Sequence, residues 1–253
     1  MKYALISDIH ANLPALEAVL RDIDSKRVDA TYHLGDLTGY APWPNEVVAL
    51  LRQRGIPGIA GNYDSTVATD YKHCGCRADT PHEEELSHLS YEWTREHVSP
   101  ETKSYLASLP FRIDIRPLGG HVSGPSIVLL HGNQTLNTVY VTEDRSDSFL
   151  DKMAVGAGAV AGDVICFGHT HKPWQRTVND VRFVNTGSVG RPKDSDARAC
   201  YVLIDAASAE LIAEFVRVSY DVELVAREIV KSGLPAEFAD GIRTGGKVLQ
   251  PTS

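Results

Sequence analysis

Residues 1–13 read MKYALISDIHANL, and the rest of the chain is best read outward from them. The run at residues 3–7 is short, apolar and closed by polar groups, which is the pattern of a buried strand. Residues 13–26 then repeat apolar side chains at helical spacing. Further apolar runs at 30–34 and 57–60 enclose a second helical period at 45–54. The N-terminal third therefore alternates β-α-β-α-β. Such alternation predicts right-handed crossovers and a parallel sheet covered on both faces.

Two more runs of this kind lie at 126–130 and 164–167. All five are followed by residues able to hold a metal: Asp8-x-His10, Gly35-Asp36, Gly61-Asn62, His131-Gly132 and Gly168-His169-x-His171. Functional groups in open α/β sheets collect beyond the carboxyl ends of the strands. The expectation is one sheet edge gathering Asp8, His10, Asp36, Asn62, His131, His169 and His171. Each motif alone has a plainer reading. An Asp after a strand commonly caps a helix or forms a turn, Gly-Asn-x-Asp is a turn, and a lone His at a strand end is commonly packed or hydrogen-bonded. The set carries more weight than its members. Alternate residues of an extended strand share a face, so Asp8 with His10, and His169 with His171, can each present two groups to one place.

Carboxylate, imidazole and amide donors suit Mn²⁺, Fe²⁺, Zn²⁺, Ni²⁺ or Mg²⁺, and the lack of thiolate argues against a structural zinc cluster. Two divalent ions over Asp8 and Asp36 leave about two net positive charges, enough to draw a phosphate to a chain of formal net charge −8. Two metals about 3.5–4 Å apart can share a water, lower its pKa and clamp the attacking and leaving oxygens of an in-line displacement.

The series Asp8-Ile9-His10, Gly35-Asp36-Leu37, Gly61-Asn62-Tyr63-Asp64, His131-Gly132 and Gly168-His169-Thr170-His171 resembles the calcineurin-like metallophosphoesterase superfamily, from residue 1 to about 192. Residues 7–13, 35–40 and 185–192 are similar to its small bacterial and archaeal branch of YfcE-like phosphodiesterases. The resemblance implies an α/β fold, a two-sheet β-sandwich core flanked by helices in four layers. It implies a single domain over 1–253, with a helical cap insertion at about 65–110 and a C-terminal helical appendix at about 219–243. It assigns Asp8, His10, Asp36 and His171 to one metal and Asp36, Asn62, His131 and His169 to the other, with Asp36 bridging. The implied activity is hydrolysis of phosphodiesters or nucleoside polyphosphates by in-line attack of a hydroxide bridging two divalent ions. Asp36, Asn62, Tyr63 and Asp64 would be catalytic, and Asn12, Asn62, Tyr63 and Arg191 would touch a small phosphate-ester or nucleotide substrate. A phosphomonoesterase or protein phosphatase shares these ligands. A non-catalytic scaffold on the same fold is the reading from a different class, but scaffold relatives lose several ligands and all seven are present here.

One position departs from the superfamily's usual Gly-Asn-His block, because Tyr63 stands where the histidine would. A phenol with an ordinary pKa near 10 donates a proton poorly at neutral pH compared with an imidazolium near 6.5. Esters with good leaving groups, aryl esters or nucleoside polyphosphates, are then favoured over alkyl monoesters. The plainer reading makes Tyr63 a packed aromatic with its hydroxyl satisfied locally, and Asp64 a side chain that fixes the loop.

Composition supports a soluble enzyme. A chain of 253 residues suits one large domain. No apolar window long enough to span a membrane is present and the chain opens directly on a strand, so the expectation is a cytoplasmic protein without a signal peptide. Cys74, Cys76, Cys166 and Cys200 are too few and scattered for a disulfide framework. His73-Cys74-x-Cys76 with His82 could hold zinc, although the spacing is unlike common zinc pairs. A pI near 5.7 and the lack of a basic run argue against an extended nucleic-acid surface. Two segments, a helical lobe over 83–97 continuing from Ser99-Pro100 and an insertion at 133–161 with a helix at about 149–155, are expected to rim the site and carry selectivity. His82, His88 and His97 in the lobe read as solvated. Two hairpins, 175–178 with 181–184 and 199–204 with 209–218, are expected to complete a second sheet. Helices at 222–232 and about 237–242 close the chain.

Overall fold

The computed structural model describes residues 1–78, 80–116, 125–206 and 211–247, so the first two residues of the expected 209–218 strand lie outside the described residues. In chain order the elements are Lys2–Ile6 (β1), Leu13–Lys26 (α1), Ala30–His33 (β2), Pro44–Gln53 (α2), Asn62–Ala68 (α3), Pro81–His97 (α4), Pro100–Ser108 (α5), Ile113–Ile115 (β3) and Ile127–Leu129 (β4). There follow Asp147–Ala157 (α6), Val164–Phe167 (β5), Trp174–Val178 (β6), Val181–Asn185 (β7), Ala199–Asp205 (β8), Ile212–Val218 (β9), Val222–Lys231 (α7) and Ala236–Thr244 (α8).

The strands form two sheets, β2-β1-β8-β9 and β3-β4-β5-β7-β6. Strand β1 shows why they pack into four layers. Its Tyr3 and Leu5 join Leu129, Val164, Cys166 and Val184 of the second sheet in an apolar layer between the sheets. Its Ala4 and Ile6 face the other way, onto Leu16 and Val19 of α1 and Val225 and Ile229 of α7. The second sheet does the same, since Val128, Ile165, Phe167 and Phe183 cover Leu150 and Met153 of α6. Strands buried on both faces lose the polar alternation that would mark one as solvated. The architecture is the expected α/β sandwich of two sheets flanked by helices.

The parallel sheet suggested by the N-terminal alternation is corrected to a mixed one. Parallel pairing holds β1 to β2 and runs through β4, β5 and β7, but these belong to different sheets. The two hairpins also divide. Strands β6 and β7 extend the second sheet, while β8 pairs antiparallel with β1 and brings β9 with it. The run at 57–60 is not a strand of the sheet, because only an isolated bridge joins His33 to Gly58. Pro57 lacks an N–H to continue a ladder, and Ala60 donates instead to Pro110.

Helix α4 opens with a capping box between Thr80 and Glu83, and Trp93 donates its indole N–H to the carbonyl of Ser232 beyond α7 at 3.0 Å. The expected lobe is thereby tied to the C-terminal helices. His82, His88 and His97 are exposed. No helix among the described residues is long and apolar enough to cross a membrane.

Candidate metal centre

Beyond β1, β2 and β5 the backbone does not remain extended. Asp8, His10, Asp36, His169 and His171 all have positive φ, between 47° and 66°. Non-glycine residues there are strained by about 1–3 kcal/mol each and persist only where the surroundings impose them. Backbone hydrogen bonds impose them here: Asp8 N–H donates to Gly35 at 3.0 Å, His10 N–H to Asp36 at 2.9 Å and Gly168 N–H to His131 at 3.0 Å. The pairs Asp8/His10 and His169/His171 thus converge through left-handed kinks, and the expectation of strand alternation is corrected. So is the single edge, since Asp8, His10 and Asp36 follow strands of the first sheet, and His131, His169 and His171 follow strands of the second. Asn62 comes from neither, because it is the first residue of α3. A Cβ on Gly61 would collide with the Asp36 carboxylate, and one on Gly168 with Ser7 Oγ and the Asp8 carboxylate. Only glycine allows these loops to close so tightly.

The side chains gather into two buried clusters, Asp8 with His10 and His171, and Asp36 with His131 and His169; within each, the donor atoms lie inside 4.8 Å of one another. Asp36 lies between them, its Oδ2 being 3.7 Å from His10 Nε2 and 3.5 Å from His131 Nε2. Asn62 joins the second cluster, with Oδ1 3.1 Å from His131 Nε2, while its Nδ2 donates to the Cys74 carbonyl at 2.9 Å and so fixes which end faces inward.

The imidazoles are oriented from behind. Nδ1 of His10, His131 and His171 lies 2.9, 2.7 and 2.7 Å from the carbonyls of Thr38, Leu34 and Arg191. A carbonyl only accepts, so each Nδ1 carries a proton; in His10 and His171 Nε2 then directs a lone pair inward, which is how proteins commonly prepare metal-binding histidines, whereas Nε2 of His131 faces the acceptors Asn62 Oδ1 and Asp36 Oδ2. His10 Nε2 and His171 Nε2 then face each other at 3.0 Å. His169 Nε2 is buried and has no hydrogen-bond partner among the described residues. Atoms left in this condition fit a cation that all of them can reach.

Electrostatics point the same way. Burial pushes His10 and His169 down to about 3, reinforced by the neighbouring His171 and His131 respectively. Burial also holds His171 well below its ordinary value, with the charges of Lys193 and Arg191 adding to the effect. Burial opposes ionisation of Asp36, but His131 beside it outweighs that and holds the carboxyl below the usual range. Burial likewise opposes a charge on His131, but Asp36 lifts it to about 10. Asp8 is raised by burial. Three imidazoles are therefore neutral and ready at neutral pH, and a cation entering the second cluster must expel the His131 proton.

The remaining expected residues occupy distinct places. Asp64 is buried and accepts from the N–H groups of Leu37 and Gly61, each at 2.9 Å, joining the loops that carry Asp36 and Asn62. Burial and the nearby Asp36 raise it to about 7. The Tyr63 side chain is 0% exposed, its ring lies 5.8 Å from that of Tyr91, and its hydroxyl donates to Ser90 Oγ at 3.1 Å. Burial, then Tyr40, lifts its pKa well above 10. The main chain of Tyr63 does reach the centre, where its N–H donates to Asp36 Oδ1 at 2.9 Å. Asn12 caps α1 through Oδ1 and donates Nδ2 to the Gly190 carbonyl at 2.9 Å. Arg191 is half-buried, its guanidinium 3.7 Å from the centre of the Tyr40 ring, which in turn lies 5.0 Å from His10.

Cys74 and Cys76 are paired across Gly75 as a disulfide, which the scattered cysteines did not lead us to expect. Among the described residues, no metal-type group of three includes them. Two neighbours of the centre also escaped the sequence reading. Tyr140, from the 133–161 insertion, packs its ring 4.0 Å from that of His169 and accepts from the Arg77 N–H at 3.3 Å. Lys193 donates its backbone N–H to the His171 carbonyl at 3.4 Å. The clue to Lys193 was its position beside Arg191; Tyr140 had none, because a single Tyr in an insertion is unremarked.

A family model described as the calcineurin-like phosphoesterase superfamily domain matches residues 1–209. An uncharacterized protein of Methanocaldococcus jannaschii, MJ0912, is 29% identical over 263 residues, covering 96% of this chain and 97% of the relative. The crystal structure of a metallophosphoesterase from Sphaerobacter thermophilus is similar with a TM-score of 0.74 at 27% identity, over 97% of this chain and 99% of that one. The hypothetical protein PH1004 from Pyrococcus horikoshii has the same fold, with a TM-score of 0.81 at 22% identity over 98% and 99% of the two chains.

Proposed function

Because this chain belongs to the calcineurin-like phosphoesterase superfamily, we propose that it is a two-metal hydrolase of phosphodiesters or nucleoside polyphosphates. The observation that carries the reading is the position of Asp36 between two clusters whose inward imidazole nitrogens lack protein donors. On this reading Asp8, His10, Asp36 and His171 hold one ion, and Asp36, Asn62, His131 and His169 the other. Divalent ions there would supply positive charge for the phosphate and a water made acidic near neutrality. The protein's own part is to hold the ligands rigid through the Thr38, Leu34 and Arg191 carbonyls, and to keep Asn62 pointed inward through the Cys74 carbonyl. Asp64 acts on this reading by positioning the Asp36 and Asn62 loops. The Tyr63 side chain serves packing, not proton transfer.

With no phenolic acid available, substrates whose leaving groups depart without a proton are favoured. The test is a panel of phosphomonoesters, phosphodiesters and nucleoside polyphosphates assayed on chelator-treated protein reloaded in turn with Mn²⁺, Mg²⁺, Ni²⁺, Fe²⁺ and Zn²⁺. Metal-dependent turnover of diesters or polyphosphates above monoesters is expected. Inactivity of every pairing would leave the fold without this chemistry and favour the scaffold reading.

A further inference from the structure

The first cluster draws Asp8 and His10 from beyond β1 and His171 from beyond β5, strands of different sheets, so no strand ladder sets the distance between its halves. The connection from β7, in the second sheet, to β8, in the first, touches both halves as it leaves β7. At its start Asn185 donates Nδ2 to the Gly168 carbonyl at 2.8 Å and to Thr170 Oγ1 at 2.9 Å, inside the loop that carries His169 and His171. Three residues later, Ser188 Oγ donates to the Asp8 carbonyl at 2.7 Å. The N–H groups of Val189 and Gly190 donate to the carbonyls of Ser7 and Asp8 at 2.9 and 3.0 Å. A Cβ on Gly190 would collide with the Ile9 carbonyl, so this turn sits directly on the loop after β1.

Ser188 is where these restraints meet. It is fully buried, and its hydroxyl is used on both sides, since Oγ also accepts the Arg191 N–H at 2.8 Å. The Arg191 carbonyl in turn accepts from His171 Nδ1 at 2.7 Å. One hydroxyl therefore connects the backbone of a first-sheet ligand to the imidazole of a second-sheet ligand through a single intervening residue. Its removal would act unevenly. The Asp8 carbonyl would keep the Gly190 N–H, whereas the Arg191 N–H would lose its acceptor, and the carbonyl of that same residue is what turns the His171 ring with Nε2 inward. The second cluster has supports of its own, the Leu34 carbonyl behind His131 and the Cys74 carbonyl behind Asn62, and neither passes through Ser188.

We propose that Ser188 is a positioning residue for the first ion and not for the second: by holding Arg191 to the Asp8 backbone it sets the His171 ring against Asp8 and His10, and it does so before any ion arrives. This rests on the two-metal reading and deepens it, because the two ions then differ in what supports their ligands. Groups that orient a metal ligand from behind change metal affinity by about 10–100-fold when they are removed.

Two measurements test it, one of them without metal. In chelator-treated protein the His171 Nδ1 proton is followed by imidazole ¹⁵N–¹H correlation spectroscopy, its signal being identified by its absence from His171→Ala. Ser188→Ala should speed exchange of this proton with solvent at least about ten-fold and leave the His131 signal unchanged. Mn²⁺ is then titrated calorimetrically into the parent, Ser188→Ala, His171→Ala and the double variant, with melting temperatures checking that each folds. Ser188→Ala should weaken one equivalent by about 10–100-fold and spare the other, and added to His171→Ala it should change the remaining equivalent by less than about two-fold. Unchanged exchange at His171, equal weakening of both equivalents, or a further loss in the double variant would overturn the assignment. A parent that binds no Mn²⁺, while Ser188→Ala still frees the His171 ring, keeps the link from Ser188 to His171 and overturns the two-metal reading instead.

Discussion

His10 Nε2 and His171 Nε2 face each other across 3.0 Å, one following a strand of each sheet, with both Nδ1 atoms already engaged by carbonyls. Two neutral rings in those tautomers cannot satisfy one another, so the seam between the sheets ends in a lone-pair contact that a cation relieves.

The first prediction concerns metal and stability. A ligand at 100 times its Kd stabilises the native state by about 2.7 kcal/mol, and in domains of this size each kcal/mol moves Tm by about 2–4 °C. Mn²⁺ added to chelator-treated protein should therefore raise Tm by roughly 5–10 °C, and His171→Ala should lose a large part of the rise. A scanning trace indifferent to every divalent ion would count against the centre.

Asp36→Asn should empty both clusters together, because Asp36 Oδ2 lies within 3.7 Å of an imidazole of each. Elemental analysis should find both equivalents reduced and turnover down by more than about 100-fold, beyond the range usual for an outer-sphere residue. Asn can still accept the Tyr63 N–H through Oδ1 but loses the charge that pairs with His131, so metal-free stability should fall as well. Loss of one equivalent alone would remove Asp36 from the bridging position.

Tyr63→Phe should separate packing from chemistry. The hydroxyl it removes donates to Ser90, so stability should fall by about 1 kcal/mol. Because the phenol's pKa is pushed well above 10 by burial, turnover should stay within a few-fold across leaving groups of different pKa. A variant defective only with poor leaving groups would identify the tyrosine as the acid.

His33 supplies a pH prediction away from the ligands. Burial pushes it down to about 3, from an ordinary 6.5. Below 6.5 the unfolded chain binds a proton that the native chain refuses, so stability drains away as the pH falls from about 6.5 towards 3. His33→Gln removes one such proton, and the slope of unfolding free energy against pH should flatten by about 1.4 kcal/mol per unit. Urea midpoints at several pH values between 6 and 4 measure it; parallel curves for parent and variant would show that His33 is not held neutral.

The candidate ligands stood out because Asp, His and Asn recur together after five apolar runs, although each alone reads as a cap, a turn or a packed imidazole. Which strand joins which of the two expected sheets was not legible, for a strand buried on both faces reads alike in a doubly wound sheet and in the inner layers of a sandwich. What sends β8 to β1 is the register of Lys2 against Asp205, a pairing across the length of the chain with no local trace. Nor could the positive φ of His10 or His171 be read from sequence, since histidine has no strong preference for it and distant carbonyls impose it. The departure at Tyr63 was visible, but its resolution depended on Ser90, which another helix brings into place.

Those left-handed kinks also make the centre costly for the chain that carries it. At Asp8, His10, Asp36, His169 and His171 the residue that best suits the backbone is glycine, and the residue that best suits a cation is not. Selection for stability alone would erode such positions one at a time, each step giving a protein that folds more readily and does less. A descendant of this chain relieved of its chemistry should keep the sandwich and drift towards glycine at its strand ends.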